Sequence, residues 1–171
     1  MMYAQDYDER LPATYQWVTQ GVNWPLYSWR TATYPYVKNA QLFVCPSDSG
    51  AGGDPGDPAL IPAVSYQASP WVMPGVRGTF DGAIGGISAP SETMMVFDTW
   101  QASTWCADGN WSGGKCSATC FGGKPAGIRN DGVDISRHNT GFNAALCDGH
   151  AKWYKAGQAD WNYAAYWQKA R

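Results

Sequence analysis

Residues 137–154 read RHNTGFNAALCDGHAKWY, two short alternating runs on either side of Asp148-Gly149. An Asp-Gly pair supplies the positive φ angles of a two-residue type I′ turn, so 142–147 and 150–155 are expected to pair as a β-hairpin spanning 142–155. In that register Leu146 faces Ala151 and Ala144 faces Trp153, which makes one apolar face. Asn143, Cys147, His150, Lys152 and Tyr154 fall on the other face, the period-two division of a half-buried sheet.

Working outward, 171 residues with ten Trp and ten Tyr make one domain with material for a real core. A net charge of -2 from only 15% charged residues leaves no basic stripe, which argues against nucleic acid and anionic membrane as partners. The sequence has no run of eighteen apolar residues and no basic-then-apolar start, so as written it neither spans a bilayer nor carries an export signal. Five cysteines in a Gly-rich, Trp-rich, Lys-poor chain suggest an oxidising compartment, extracellular, on the cell surface or facing the periplasm. Cys106, Cys116 and Cys120 fall within CADGNWSGGKCSATC, inside a loop-like insert at 100–128. A disulfide there is worth roughly 3 kcal/mol in the chain-entropy model. Zinc is the weaker reading, because no second Cys-x-x-Cys-like pair and no histidine lies near. Cys45 and Cys147, both in strand-like sequence, are either buried thiols or further disulfide candidates.

In chain order, residues 1–8 suit a short helix ended by Leu11-Pro12, since proline disfavours helical geometry in the residue before it. Residues 13–40 carry Trp17, Trp24, Tyr27, Trp29, Tyr34 and Tyr36 among prolines. Packing is the first expectation for them. A sugar-stacking face built on Trp24 or Trp29 is the second, and would make the protein a secreted carbohydrate-binding module. A turn of helix at 36–40 leads into a strand at 42–44. The Gly/Asp/Pro run at 47–62 is loop; 64–66 and 71–73 read as short strands, and 94–97 as a buried strand ending at Asp98. The tail, 158–171, is helix-compatible and aromatic.

Two clusters invite chemistry. Asp131 and Asp134, near Asn130, form a compact oxygen-ligand set suited to calcium, which takes six to eight oxygens. His138 with Ser136 and Asp148 invites a small-hydrolase reading, since a triad needs nucleophile, base and orienting carboxylate in contact. Against it, no Gly-x-Ser-x-Gly elbow appears and the tight turn already accounts for Asp148. The simpler expectation is that His138 ties down the loop before the hairpin while Asp148 caps the turn.

His138, nine intervening residues and Asp148-Gly149 resemble the His-x9-Asp-Gly signature of prepilin-type proteins, relatives of type II secretion pseudopilins and type IV pilins. MYAQDYDERLP at 2–12, YPYVKNAQLFVCPSD at 34–48, SYQAS at 65–69 and SAPSETMMVFD at 88–98 match that family in the same order; the 100–128 insert departs from it. The resemblance implies an α+β, pilin-like fold for 1–171. Residues 1–10 would be the end of an N-terminal helix packed on an antiparallel sheet with long loops; the disulfide-pinned insert is expected from the cysteines and not from the resemblance. The resemblance implies a non-catalytic structural subunit whose partners are copies of itself or other pilin-like subunits in a helical filament. The membrane would be met only through an apolar N-terminal helix absent from this sequence. The family's frequent calcium site near the C-terminal strands adds weight to Asp131 and Asp134, without fixing positions.

Overall fold

The structure, a computed structural model, describes residues 2–17, 26–48, 60–61, 63–69, 72–74, 81–98 and 138–155. Helix α1 (Met2–Asp6) is followed by a two-stranded ribbon, β1 (Tyr15–Trp17) against β2 (Leu26–Ser28). Then come α2 (Trp29–Val37), a 3₁₀ turn (Ala40–Phe43), and strands β3 (Tyr66–Ala68), β4 (Met94–Asp98), β5 (Gly141–Leu146) and β6 (Ala151–Lys155). The last four form one antiparallel sheet in the order β3-β4-β5-β6.

Local chemistry explains α2, which the sequence reading placed no earlier than residue 36. Ser28 caps its start: the side-chain oxygen accepts from the N–H groups of Arg30 and Thr31, and Thr31 Oγ1 accepts from the Ser28 N–H. This is a capping box with threonine in the place usually taken by Glu or Gln. Pro35 lies inside the helix and removes one backbone donor, and the helix ends at Lys38 with φ 49. Beyond it, 40–43 form a 3₁₀ turn where a strand was expected from Leu42 onward. The turn carries Phe43 into the core, edge-on to Trp29 at 5.7 Å. Trp71–Met73 was expected as a strand as well, but the 72–74 backbone turns: Met73 N–H bonds back to Ser69 O at 3.1 Å.

The hairpin differs from expectation in register. Gly149 takes φ 94, but Asp148 is not in the positive-φ region. The loop is therefore three residues long, closed by Gly149 N–H to Leu146 O at 2.9 Å and Leu146 N–H to His150 O at 2.8 Å. Ala145 pairs with Ala151, Ala144 with Lys152, Asn143 with Trp153 and Phe142 with Tyr154. A one-residue slip moves a whole strand to the other face. Tyr154 is thus buried on Phe142, rings stacked at 5.4 Å, while Trp153 is 45% exposed. The positive-φ pair expected at Asp148-Gly149 occurs one turn earlier, at Asn139 (φ 51) and Thr140 (φ 60). There His138 and Gly141 exchange backbone hydrogen bonds of 3.1 and 3.4 Å.

Two apolar clusters use the sheet. Met94, Phe97, Phe142, Ala144, Leu146 and Tyr154 form one; Trp29, Phe43, Ile61, Val64, Val72 and Met73 belong to the other. A register shift between Met94 and Val96 explains how Met94 and Phe97, an odd spacing apart, join the same cluster. Arg30 is 1% exposed: Nη2 donates to Tyr66 O at 2.6 Å, and the guanidinium lies over Trp29 at 4.9 Å.

Candidate functional site

Three segments far apart in sequence meet at His138. Its Nε2 lies 3.4 Å from Cys45 Sγ and 3.1 Å from Asp98 Oδ2, and one ligand atom of each residue lies within 4.8 Å of the other two. Cys45 follows the 3₁₀ turn, Asp98 ends β4, and His138 opens the tight turn before β5. Cys45 and Asp98 are buried, at 1% and 0% exposure, whereas the His138 side chain keeps 25%. The cluster therefore has a dry floor and one edge toward solvent.

Each member is held by its own scaffold. Asp98 Oδ2 accepts the Asn143 N–H of the neighbouring strand at 2.8 Å, which fixes the carboxylate. The carbonyl of Cys45 accepts from the Asp48 N–H at 2.9 Å. The carbonyl of His138 accepts from Trp153 Nε1 at 2.8 Å, and that indole crosses the backbone at Gly141. A Cβ on Gly141 would run into the indole ring and the Tyr154 carbonyl, so glycine is required for this approach. The slipped hairpin register has a consequence here: it turns Trp153 toward the His138 loop.

Cys, His and Asp in contact invite a nucleophilic triad, but the geometry is wrong for one. In a relay the base uses one ring nitrogen for the nucleophile and the other for the orienting carboxylate. Here the same nitrogen, Nε2, meets both. What three converging S, N and O atoms do well is bind a cation. Thiolate and imidazole suit borderline transition metals, whereas calcium takes a shell of oxygens.

The residues singled out from sequence are distributed differently. Asp148 does not meet His138: its Oδ1 accepts the His150 N–H at 3.0 Å and its Oδ2 lies 2.8 Å from His150 Nδ1. The His150 N–H, and then its ring, hold the Asp148 carboxyl below its ordinary range. Asp148 thus caps the turn. Gly149 supplies the positive φ there. Cys45 and Cys147 are both buried free thiols, and the insert cysteines that were their candidate partners lie outside the described residues. Burial, helped by the nearby Asp148, pushes the Cys147 thiol up to about 12, which leaves it protonated and inert at neutral pH. Trp29 is 7% exposed and packed between Phe43 and Arg30, so it is no sugar platform. The calcium candidates Asp131 and Asp134, the insert cysteines Cys106, Cys116 and Cys120, Ser136 and Trp24 lie outside the described residues. Asp98 was legible only as the end of a strand. A carboxylate closing the buried run MMVFD was the available signal, since a buried acid requires partners.

A second feature lies at the start of the chain. Tyr3 stacks on Tyr7 at 4.2 Å and meets Tyr36 edge-on at 5.8 Å. Tyr36 Oη donates to Asp6 Oδ2 at 2.8 Å, and that bond leads the causes that push the Tyr36 hydroxyl up to about 12. Between α1, α2 and β4 runs an apolar groove of about 280 Å³ lined by Met2, Tyr3, Pro12, Trp29, Val37 and Met95. Among the described residues, no helix is long and apolar enough to cross a membrane. Comparison with protein-family models, with curated proteins and with solved structures finds no match.

Proposed function

We propose that the chain is a non-catalytic structural subunit of a pilus-like or pseudopilus-like extracellular filament. The observation that supports this reading is how the pilin-resembling segments are used. MYAQD forms α1, the YPYVKNAQLFVCPSD segment ends α2 and makes the 3₁₀ turn, SYQAS contains β3, SAPSETMMVFD ends in β4, and the His-x9-Asp-Gly segment builds β5 and its loop. Each segment in that order becomes one successive piece of a helix-then-sheet unit.

In such a filament, α1 is the end of an apolar stem buried in a shared fibre core, and the sheet is carried outside. Head-to-tail contacts between two different surfaces of identical subunits, where they do not close into a ring, propagate helically. The apolar groove flanking α1, with Met2 59% exposed at its edge, is where neighbouring stems and domains are expected to pack. The test is to shear surface filaments from the native cells and probe the fraction for this chain after cross-linking. A ladder of cross-linked multiples in that fraction is the expected result. A chain found only as monomer, outside any filament, sinks the proposal.

A further inference from the structure

We infer that Cys45, Asp98 and His138 form a binding site for a borderline divalent transition metal, Zn²⁺ first, independent of any calcium site and of filament assembly. Distances carry the argument. A tetrahedral zinc ion, with bonds of about 2.3 Å to sulfur and about 2.0 Å to nitrogen and oxygen, separates its S and N ligands by roughly 3.5 Å and its N and O ligands by roughly 3.3 Å. The corresponding separations in the structure are 3.4 Å for Cys45 Sγ to His138 Nε2 and 3.1 Å for His138 Nε2 to Asp98 Oδ2. Those two separations need change by only a few tenths of an ångström, and the third pair, Cys45 Sγ and the Asp98 carboxylate, lies within 4.8 Å.

Charge carries it further. Two acidic side chains, both at 1% exposure or less, converge on one imidazole. On binding, the Cys45 thiol gives its proton to bulk water. His138 coordinates through the Nε2 lone pair and carries its proton on Nδ1, while Asp98 binds as carboxylate. The metal's two positive charges then balance one thiolate and one carboxylate, so the buried assembly is neutral and avoids the cost of isolated buried charge.

The ligands are held in place around the site. The Asn143 N–H orients the Asp98 carboxylate, as outer partners of metal-binding carboxylates do, and the Trp153 indole and the Gly141 N–H both bond the His138 backbone carbonyl, which fixes the turn that carries the ring. The partly exposed edge at His138 gives the ion an entry path and leaves a fourth position for water or another ligand. The ion would link the 3₁₀-turn loop, the end of β4 and the turn before β5.

The test uses the full 171-residue chain, reduced and stripped with chelator, then dialysed against Co²⁺ or Zn²⁺. The expected result is one retained equivalent and, with Co²⁺, a near-ultraviolet thiolate-to-cobalt band with tetrahedral visible absorption. Cys45→Ser should abolish the band. His138→Gln and Asp98→Asn should each weaken binding at least about tenfold, the loss typical even of outer-shell changes. Cys147→Ser and the triple Cys106/Cys116/Cys120→Ser variant should keep it, and circular dichroism of each variant establishes that it is folded. The inference is overturned if the folded chain shows no band, or if the band survives Cys45→Ser and vanishes in the triple variant. A metal-free cluster, with His138 Nε2–H merely donating to Asp98, gives the first of those results.

Discussion

Replacing Asp98 with alanine tests whether the carboxylate organises the sheet edge and the loop before β5, with or without metal. The side chain is fully buried, accepts the Asn143 N–H at 2.8 Å and meets His138 Nε2 at 3.1 Å. Each hydrogen bond to a charged group is worth about 1.5–3 kcal/mol. Relief of the carboxylate's desolvation offsets part of that, leaving a net cost of about 3–5 kcal/mol for the two bonds together. In a chain of this length 1 kcal/mol moves the melting temperature by about 2–4 °C, so Asp98→Ala should melt roughly 6–20 °C lower. Asp98→Asn keeps an oxygen for the Asn143 N–H and should lose less, about 1–3 kcal/mol. Urea and thermal unfolding, in chelator and reductant, measure both. An Asp98→Ala protein within about 0.5 kcal/mol of the parent, the range of an ordinary surface change, would refute the reasoning. So would Asp98→Asn less stable than Asp98→Ala.

Gly141→Ala forces the Trp153 indole off the backbone it crosses and should cost about 1–3 kcal/mol; an increase in Trp153 quenching by iodide tracks the displacement, and an unchanged melt contradicts it. Thr140, a β-branched residue at φ 60, is strained by about 1–2 kcal/mol, so Thr140→Gly should raise the melting temperature despite glycine's greater unfolded entropy. A lower melting temperature would show that the turn is not strained. Cys147 should resist thiol reagents at pH 8 until the chain unfolds, because burial keeps it protonated; rapid labelling of the folded protein at Cys147 is the opposing result. Asp148 has a folded pKa below its unfolded one, so its stabilising contribution is complete above the unfolded value and disappears as pH falls through the folded value. The stability gap between the parent and Asp148→Asn should therefore stay constant above the ordinary aspartate range and narrow as pH falls through and below it, and a gap that stays constant into acid would contradict this.

Local signals carried part of this structure and long-range contacts carried the rest. The apolar run ending at Asp98 shows β4 directly, because a buried strand needs little beyond its own composition. Alternation around Asp148-Gly149 shows both hairpin strands but not their register. The intrinsic preference of Asp-Gly for a two-residue turn yields to packing: the three-residue loop lets Tyr154 stack on Phe142 and lets Trp153 use the gap at Gly141. Helix α2 was hidden by Pro35 and by aromatic residues that suit strands as well as helices, although Ser28 and Thr31 carried its capping signal. For the cluster, spacing drew attention to His138 and composition to Cys45. Asp98 became a candidate only because β4 lies beside β5 and brings its end to the His138 turn. No sequence interval encodes such a meeting, and here its most distant members, Cys45 and His138, are 93 residues apart.

The filament reading makes α1 the end of a longer apolar helix, and the intact mass and N-terminal sequence of the protein taken from its native cells test that most directly. The account predicts additional mass ahead of Met1, an apolar segment of about 20 residues or more, beginning at a processed first residue. A native chain whose first residue is Met1 would contradict it.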